Sequence, residues 1–341
     1  MLQDRSHKNC GVSVIICCYN SASRIVKVLE HLAAQQGHFT GEIILVDNRC
    51  TDDTVEKAQQ YWKREVRNMP LSVIHESQAG LTYARIAGTR AAQYETLVFC
   101  DDDNWLDESY LEQAAQLMQQ HHDVGIAGGV ITAYYEVALP DDFESMSAYL
   151  AISKLQKDGI ITKESPFLPG AGLVVRRSAL IKIIDSGFQF FCSDRVGKSL
   201  SSGGDSELSM ALVLSGYEVY FSNALRLQHF ITADRISWTY MNKLVSGINS
   251  ALPILFFYYH VCRDEKFGVE ELKRSIDERK QYLRQPRIWW AQLTSGKPRL
   301  RIAYAARKAY IKSAEALLNN AALRVKLEAQ IVKLQELRHI E

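Results

Sequence analysis

The chain has 341 residues, 47% of them hydrophobic and 23% charged, with a formal net charge of +1. That length is ample for a buried core, and the near-zero charge gives no electrostatic reason to expect a nucleic-acid partner. The opening MLQDRSHKNC is polar and no run of about 18 apolar residues follows, so neither a secretory leader nor a spanning helix is expected. The most apolar stretch, Ala251 to Tyr259, is short for a bilayer. Seven cysteines without a CxxC pair, several of them inside apolar runs, read as buried reduced thiols of a cytoplasmic protein rather than a zinc or disulfide framework.

In chain order, Val12 to Cys18 is a continuous apolar run, as in a strand buried on both faces. Ser21 to Gln36 has helical spacing, with Ile25, Val28, Leu29 and Leu32 on one face. Strand-like Glu42 to Val46 and helix-like Thr51 to Arg67 follow, then the strand Leu71 to His75 and the helix Leu81 to Gln93. The fourth strand, Thr96 to Cys100, ends directly in three aspartates. This βαβαβαβ order predicts a mostly parallel sheet with helices on both faces. The second half is mixed. It reads as a helix over Asp107 to His121, a strand over Gly125 to Tyr134, and a Pro/Gly loop from Pro166 to Gly172 leading into Leu173 to Arg176. A helix from about Asp205 to Leu214 and a strand over Glu218 to Phe221 follow. Ile236 to Tyr259 is helical and interrupted by Pro253. Beyond Pro286 the chain turns basic and carries Trp289 and Trp290. A boundary near residue 260 therefore divides an N-terminal domain, 1–260, from a helical, basic extension, 261–341.

Ligands of such sheets bind beyond the carboxyl ends of the strands. Asn20, Asp47 and Asp101 to Asp103 all fall there. Three adjacent carboxylates repel one another and need compensation, for which a divalent cation bound through oxygen is the usual source. The plainer reading is a solvated turn with Asp103 or Asn104 capping the next helix. Asp47 is either a turn residue or an acceptor for a nucleobase or ribose edge. Arg85 can pair with phosphate or with Asp101, or sit exposed on its helix. Asp205, after Gly203 and Gly204, is either a helix cap or a general base held at a helix start, with Glu207 as the next candidate for the base. His229 is either a satisfied core residue or a metal ligand.

The stretches VSVIICCYNSASRIVKVLEHL, EIILVDNRCTDDTVEKA, QAGLTYARIAGTRAA, TLVFCDDDNWLDESYL, PGAGLVVRRSAL and GGDSELSMALVLSGYEVYF, in this order over roughly residues 11 to 260, resemble the family 2 glycosyltransferases of the GT-A fold. The resemblance implies an α/β nucleotide-sugar-binding fold with a helical C-terminal extension. It implies inverting transfer of a sugar from a nucleoside diphosphate, UDP-linked, to an acceptor hydroxyl. Tyr19, Asn20, Asp47, Arg85, Asp101 and Asp102 would then hold the nucleotide-sugar. Asp101, Asp103 and His229 would hold Mn2+ or Mg2+, and Asp205 would be the base. The implied acceptor is a glycan or lipid-linked oligosaccharide of bacterial surface polysaccharide or lipopolysaccharide synthesis. From its own composition, Trp289, Trp290 and the cations from Arg299 to Lys312, the basic extension reads either as a peripheral contact with the inner membrane or as a solvated helical hairpin or dimer contact. Two motifs depart from the family pattern: Asp47-Asn48-Arg49-Cys50 stands where VDDGS is frequent, and Gly204 precedes Asp205 in place of Glu. The QxxRW element and membrane helices of processive relatives are absent, which favours single addition. A nucleotidyltransferase and a non-catalytic nucleotide-sugar-binding module are the rival readings. Neither a GxGxxG after a strand nor a P-loop is present to support dehydrogenase or NTPase chemistry.

Overall fold

The computed structural model describes residues 11–64, 69–192, 202–265, 268–286, 288 and 298–339. Cys10, Arg287, Trp289, Trp290 and Lys297 lie outside the described residues. The first half alternates strands and helices as its periodicity predicts: β1 (Gly11–Cys18), α1 (Ile25–Ala33), β2 (Thr40–Asp47), α2 (Thr54–Arg64), β3 (Leu71–His75), α3 (Leu81–Ala91) and β4 (Thr96–Phe99). β1 pairs in parallel with β2 and β4, and β2 with β3. Alternation along β1 divides the interior. Val14 and Ile16 pack with the apolar face of α1, Ile25, Val28, Leu29 and Leu32. Ile15 packs with Phe99, Leu173 and Leu208 on the other side of the sheet. Each such side chain, taken from water, stabilises by about 1.5–3 kcal/mol.

The second half adds β5 (Asn104–Leu106), α4 (Tyr110–Gln120), β6 (Val124–Tyr135), a 3-10 segment (Phe143–Leu150), β7 (Gly159–Ile160), β8 (Leu173–Arg176), α5 (Arg177–Asp185), α6 (Gly204–Leu214) and β9 (Glu218–Ile231). The nine-stranded sheet has the order β3-β2-β1-β4-β8-β6-β9-β5, with β7 beside β9. Its β3-β2-β1-β4 portion is parallel, and it becomes mixed where β8 runs antiparallel to both β4 and β6. β9 is far longer than the expected Glu218 to Phe221. It follows β6 in parallel to Ile231 across a register shift at Gly129/Val130. A Cβ on Gly129 would lie 2.0 Å from Leu225 O, so the backbones there approach as only glycine allows.

α7 (Trp238–Cys262) runs across residue 260, and the described part of the extension beyond it carries α8 (Val269–Leu283), α9 (Pro298–Asn319) and α10 (Ala321–Glu336). α7 passes through Pro253 rather than being interrupted by it. Proline cannot donate to the preceding turn, and close by the Ser313 hydroxyl of α9 donates to Ser250 O at 2.6 Å. By length and composition this 25-residue helix is apolar enough to cross a membrane, although the sequence alone gave no such run; Met241, Leu244, Phe257 and Tyr258 are buried within the protein. One core runs on past residue 260, joining Ile15 and Phe99 to Tyr258, Leu272, Tyr310 and Leu327.

Candidate active site

Strand direction gathers the polar residues. The parallel β1, β2 and β4 end at one edge of the sheet. Antiparallel β8 begins there, with Leu173 opposite Phe99. β9 ends there, with His229 opposite Asn104. Along this edge lies a cleft of about 780 Å3, lined by Tyr19, Arg85, Asp101, Asp102, Asp103, Asp205 and His229 among others. Seven sequence-selected residues thus share one cavity.

Asn20 and Asp47 do not line it. Asn20, at φ 54°, accepts the Thr51 N–H at 2.8 Å through Oδ1. Asp47 accepts the Cys50 N–H at 2.7 Å and meets His75 Nδ1 at 2.8 Å. Burial alone would raise the Asp47 carboxyl, but these contacts from Cys50 and His75 hold it below its ordinary value. Both side chains shape the loop 48–51, and that loop supplies Asn48, Arg49, Cys50 and Thr51 to the cleft wall. Arg49 holds φ 69°, a conformation that favours glycine or asparagine. Asn48 is buried and ties this loop to the next, donating to Gln78 O at 2.6 Å and accepting the Gly80 N–H at 2.8 Å.

The aspartate run has its compensation within the protein, one arginine for each carboxylate. Arg85 Nη2 is 3.7 Å from Asp101 Oδ1. Arg24 Nη2 donates to Asp102 Oδ2 at 2.5 Å, and the Ser21 hydroxyl donates to the same oxygen. Arg235 Nη1 donates to Asp103 Oδ2 at 2.7 Å. Asp103 is only 4% exposed, so an unpaired charge there would be costly. Burial alone would lower the Arg235 guanidinium, but Asp103 beside it holds it well above its ordinary value. Sequence reasoning missed Arg24 and Arg235. The available signal was electrostatic: three adjacent carboxylates need cations, and an arginine follows each of the two strands, β1 and β9, that flank the run.

Among the described residues no three His, Cys, Asp or Glu side chains surround one point as a ready metal cage. The donor types nevertheless fit a divalent cation. His229 Nε2 lies 3.5 Å from Asp103 Oδ1. His229 Nδ1 lies 2.9 Å from Leu150 O; a carbonyl can only accept, so Nδ1 donates there and Nε2 is the ring nitrogen left to ligate a metal. Hard cations bound by one or two protein groups complete their shell with substrate phosphate oxygens and water.

Asp205 opens α6 and accepts the adjacent Ser206 N–H at 2.8 Å. Gly203 before it has φ 130°, and a Cβ there would press on Ala251 at 3.0 Å. The PGAG loop passes between Asp205 and Arg85: a Cβ on Gly170 would sit 2.9 Å from Asp205 Oδ2 and 3.4 Å from an Arg85 guanidinium nitrogen. Glu207 points elsewhere. It is fully buried and accepts the Phe191 and Cys192 N–H groups at 3.0 and 2.8 Å. Cys17 lines the cleft, but burial pushes its thiol up to about 12, so it is no nucleophile at neutral pH.

The family model "Glycosyl transferase family 2" matches residues 13–184. The poly(ribitol-phosphate) beta-N-acetylglucosaminyltransferase TarS of Staphylococcus aureus is 31% identical over 111 residues, 32% of this chain and 19% of TarS. Glycosyltransferase GlyG of Streptococcus pneumoniae is 30% identical over 125 residues, 36% of this chain and 39% of GlyG. The chain thus spans well under half the length of these curated relatives. Among solved structures, the mannosyltransferase PcManGT from Pyrobaculum calidifontis, in complex with GDP-Man and Mn2+, superposes with a TM-score of 0.54 at 17% identity, covering 96% of this chain and 86% of that one. That likeness is one of overall fold.

Proposed function

Because the chain belongs to glycosyl transferase family 2, we propose that it transfers a sugar from a nucleoside diphosphate to an acceptor hydroxyl with inversion of the anomeric centre. The observation that carries this reading is the convergence of Asp205 and Arg85 on Gly170, in the same cleft as Asp101, Asp102 and Asp103. A carboxylate poised as base and a cation-lined diphosphate site thereby face one small space.

The nucleoside lies toward Tyr19 and the loop that Asn20 and Asp47 hold in shape. Arg85 pairs with the diphosphate, while Asp101 and Asp102 accept hydroxyl or N–H groups of the nucleotide-sugar. Asp103, Asp101 and His229 would hold Mn2+ or Mg2+, which when bound offsets charge on the departing diphosphate. Asp205 takes the proton of the attacking hydroxyl as that oxygen bonds to the sugar carbon and the bond to diphosphate breaks. The electron pair leaves with the diphosphate, and the carbon passes through an oxocarbenium-like state. The Mn2+ and GDP-Man bound by PcManGT support a metal and a nucleotide-sugar donor of this class. UDP is the proposed carrier, on the sequence resemblance. The name of TarS supports a polymer acceptor, and a bacterial surface polysaccharide or lipid-linked glycan is the proposed class. The proposed location is cytoplasmic, with the basic extension against the inner membrane.

The test is release of nucleoside diphosphate by the purified chain from a panel of UDP- and GDP-sugars with Mn2+, with and without chelator. Release from at least one donor, abolished by chelator, is the expected result. No release from any donor, together with no donor-induced rise in melting temperature, would reject the reading.

A further inference from the structure

Arg235 stands in an unusual place for a cation. It sits on the 3-10 turn Ala233–Arg235, between β9 and α7. Its Nη1 is 2.7 Å from Asp103 Oδ2 and 3.4 Å from His229 Nε2. The guanidinium therefore already engages two of the three side chains offered to a metal, Asp103 and His229. Its charge also lies close enough to Arg24 for the two to repel.

We infer that Arg235 is the resident counter-ion of Asp103, and that it yields this carboxylate to a divalent cation only together with a nucleoside diphosphate. The inference rests on the metal-dependent reading proposed above. A metal ion arriving alone must break the buried Asp103–Arg235 pair and then remain beside Arg24, Arg85 and a displaced Arg235. That exchange adds a double positive charge to the cleft and no new negative charge beyond Asp101, Asp102 and Asp103. A diphosphate supplies it twice, as oxygen ligands for the metal and as a new acceptor for Arg235, which lines the same cleft. Metal and nucleotide then strengthen each other's binding, by the same factor in either order of addition. Arg235 is thus a positioning residue that sets when the metal centre forms.

The experiment measures Mn2+ binding to the whole chain by electron paramagnetic resonance, first alone and then with UDP or GDP. It compares wild type with Arg235→Met, which keeps most of the stem, and Arg235→Gln as a second uncharged variant. Wild type should bind Mn2+ alone weakly, and nucleotide should tighten it by about 5- to 150-fold, the usual range of such coupling. Each variant should bind Mn2+ alone about tenfold or more tightly than wild type does, with the nucleotide effect correspondingly smaller. A purely structural role predicts no gain in metal affinity and no matching fall in the nucleotide effect. Unchanged or weaker Mn2+ binding by folded variants, with nucleotide still tightening it, overturns the inference and leaves metal-dependent transfer standing. Should neither variant fold, wild-type Mn2+ affinity that is equal with and without nucleotide overturns it. Absence of Mn2+ binding in every protein, even with UDP or GDP, overturns both.

Discussion

Asp205 and Glu207 are two residues apart on one helix, and their surroundings divide their work. Asp205 faces the cleft beside Gly170. The variant Asp205→Asn keeps volume and can still accept the Ser206 N–H. Melting temperature and donor affinity should hold while transfer falls by about 100-fold or more; near-normal turnover would end its assignment as base. Glu207 is instead a structural acid. Burial pushes its carboxyl from 4.5 up to about 7, against the pull of the Cys192 and Phe191 N–H groups. The folded state is then the better proton binder. This residue's contribution to stability is largest below its unfolded value and falls as pH climbs to about 7. Glu207→Gln has no charge to bury and should lose that slope. It should carry a constant penalty of about 1–3 kcal/mol, because Phe191 and Cys192 donate to different oxygens of Glu207 and one of those N–H groups would then face the amide NH2. Urea midpoints of both proteins across this pH window check the claim, and equal slopes would contradict it.

At the scale of elements, α6 is held from both sides by the extension. Arg338 donates to Leu214 O at 2.7 Å and to Val213 O at 3.2 Å, meeting carbonyls that the helix end leaves open. Gln330 of α10 donates to the Tyr258 hydroxyl at 2.7 Å, and Tyr258 also bonds Glu207. Arg338→Ala should therefore cost on the order of 1 kcal/mol, seen as a lower urea midpoint, with donor affinity untouched. An unchanged midpoint would mean that water caps the helix as well as Arg338 does. None of this was legible beforehand, because a cap contributed from more than 120 residues away leaves no local pattern. The legible part was periodic: β1 to β4 and α1 to α3 have apolar spacing that reports burial directly. β5 escaped notice because three residues, NWL, cannot show a period. β9 was read too short because its register shift breaks the alternation near Ser222 to Arg226. In the site, Asp101 to Asp103, Asp205 and His229 were found because they sit at strand ends or beside glycines. Arg24 and Arg235 were not, because their roles depend on carboxylates far away in sequence.

For the whole molecule, charge is distributed unevenly. Arg301, Lys308 and Lys312 are exposed on α9 at spacings of seven and four residues, which puts them along one helical face. If this face meets an anionic bilayer, replacing all three by Gln should reduce flotation with phosphatidylglycerol vesicles while leaving the melting temperature near wild type. Equal flotation would place the membrane contact elsewhere or remove it. The hold of Arg338 and Gln330 on α6 also has a bearing on biosynthesis. Synthesis is vectorial, and the strands that carry Tyr19, Asp47 and Asp101 emerge first and can assemble early. The helix bearing Asp205 emerges next, but its far end stays open until residues some 120 further along have left the ribosome. A nascent chain can thus complete its first four strands well before the far end of α6 gains its cap, so the last contacts to form on that helix are set by the order of translation itself.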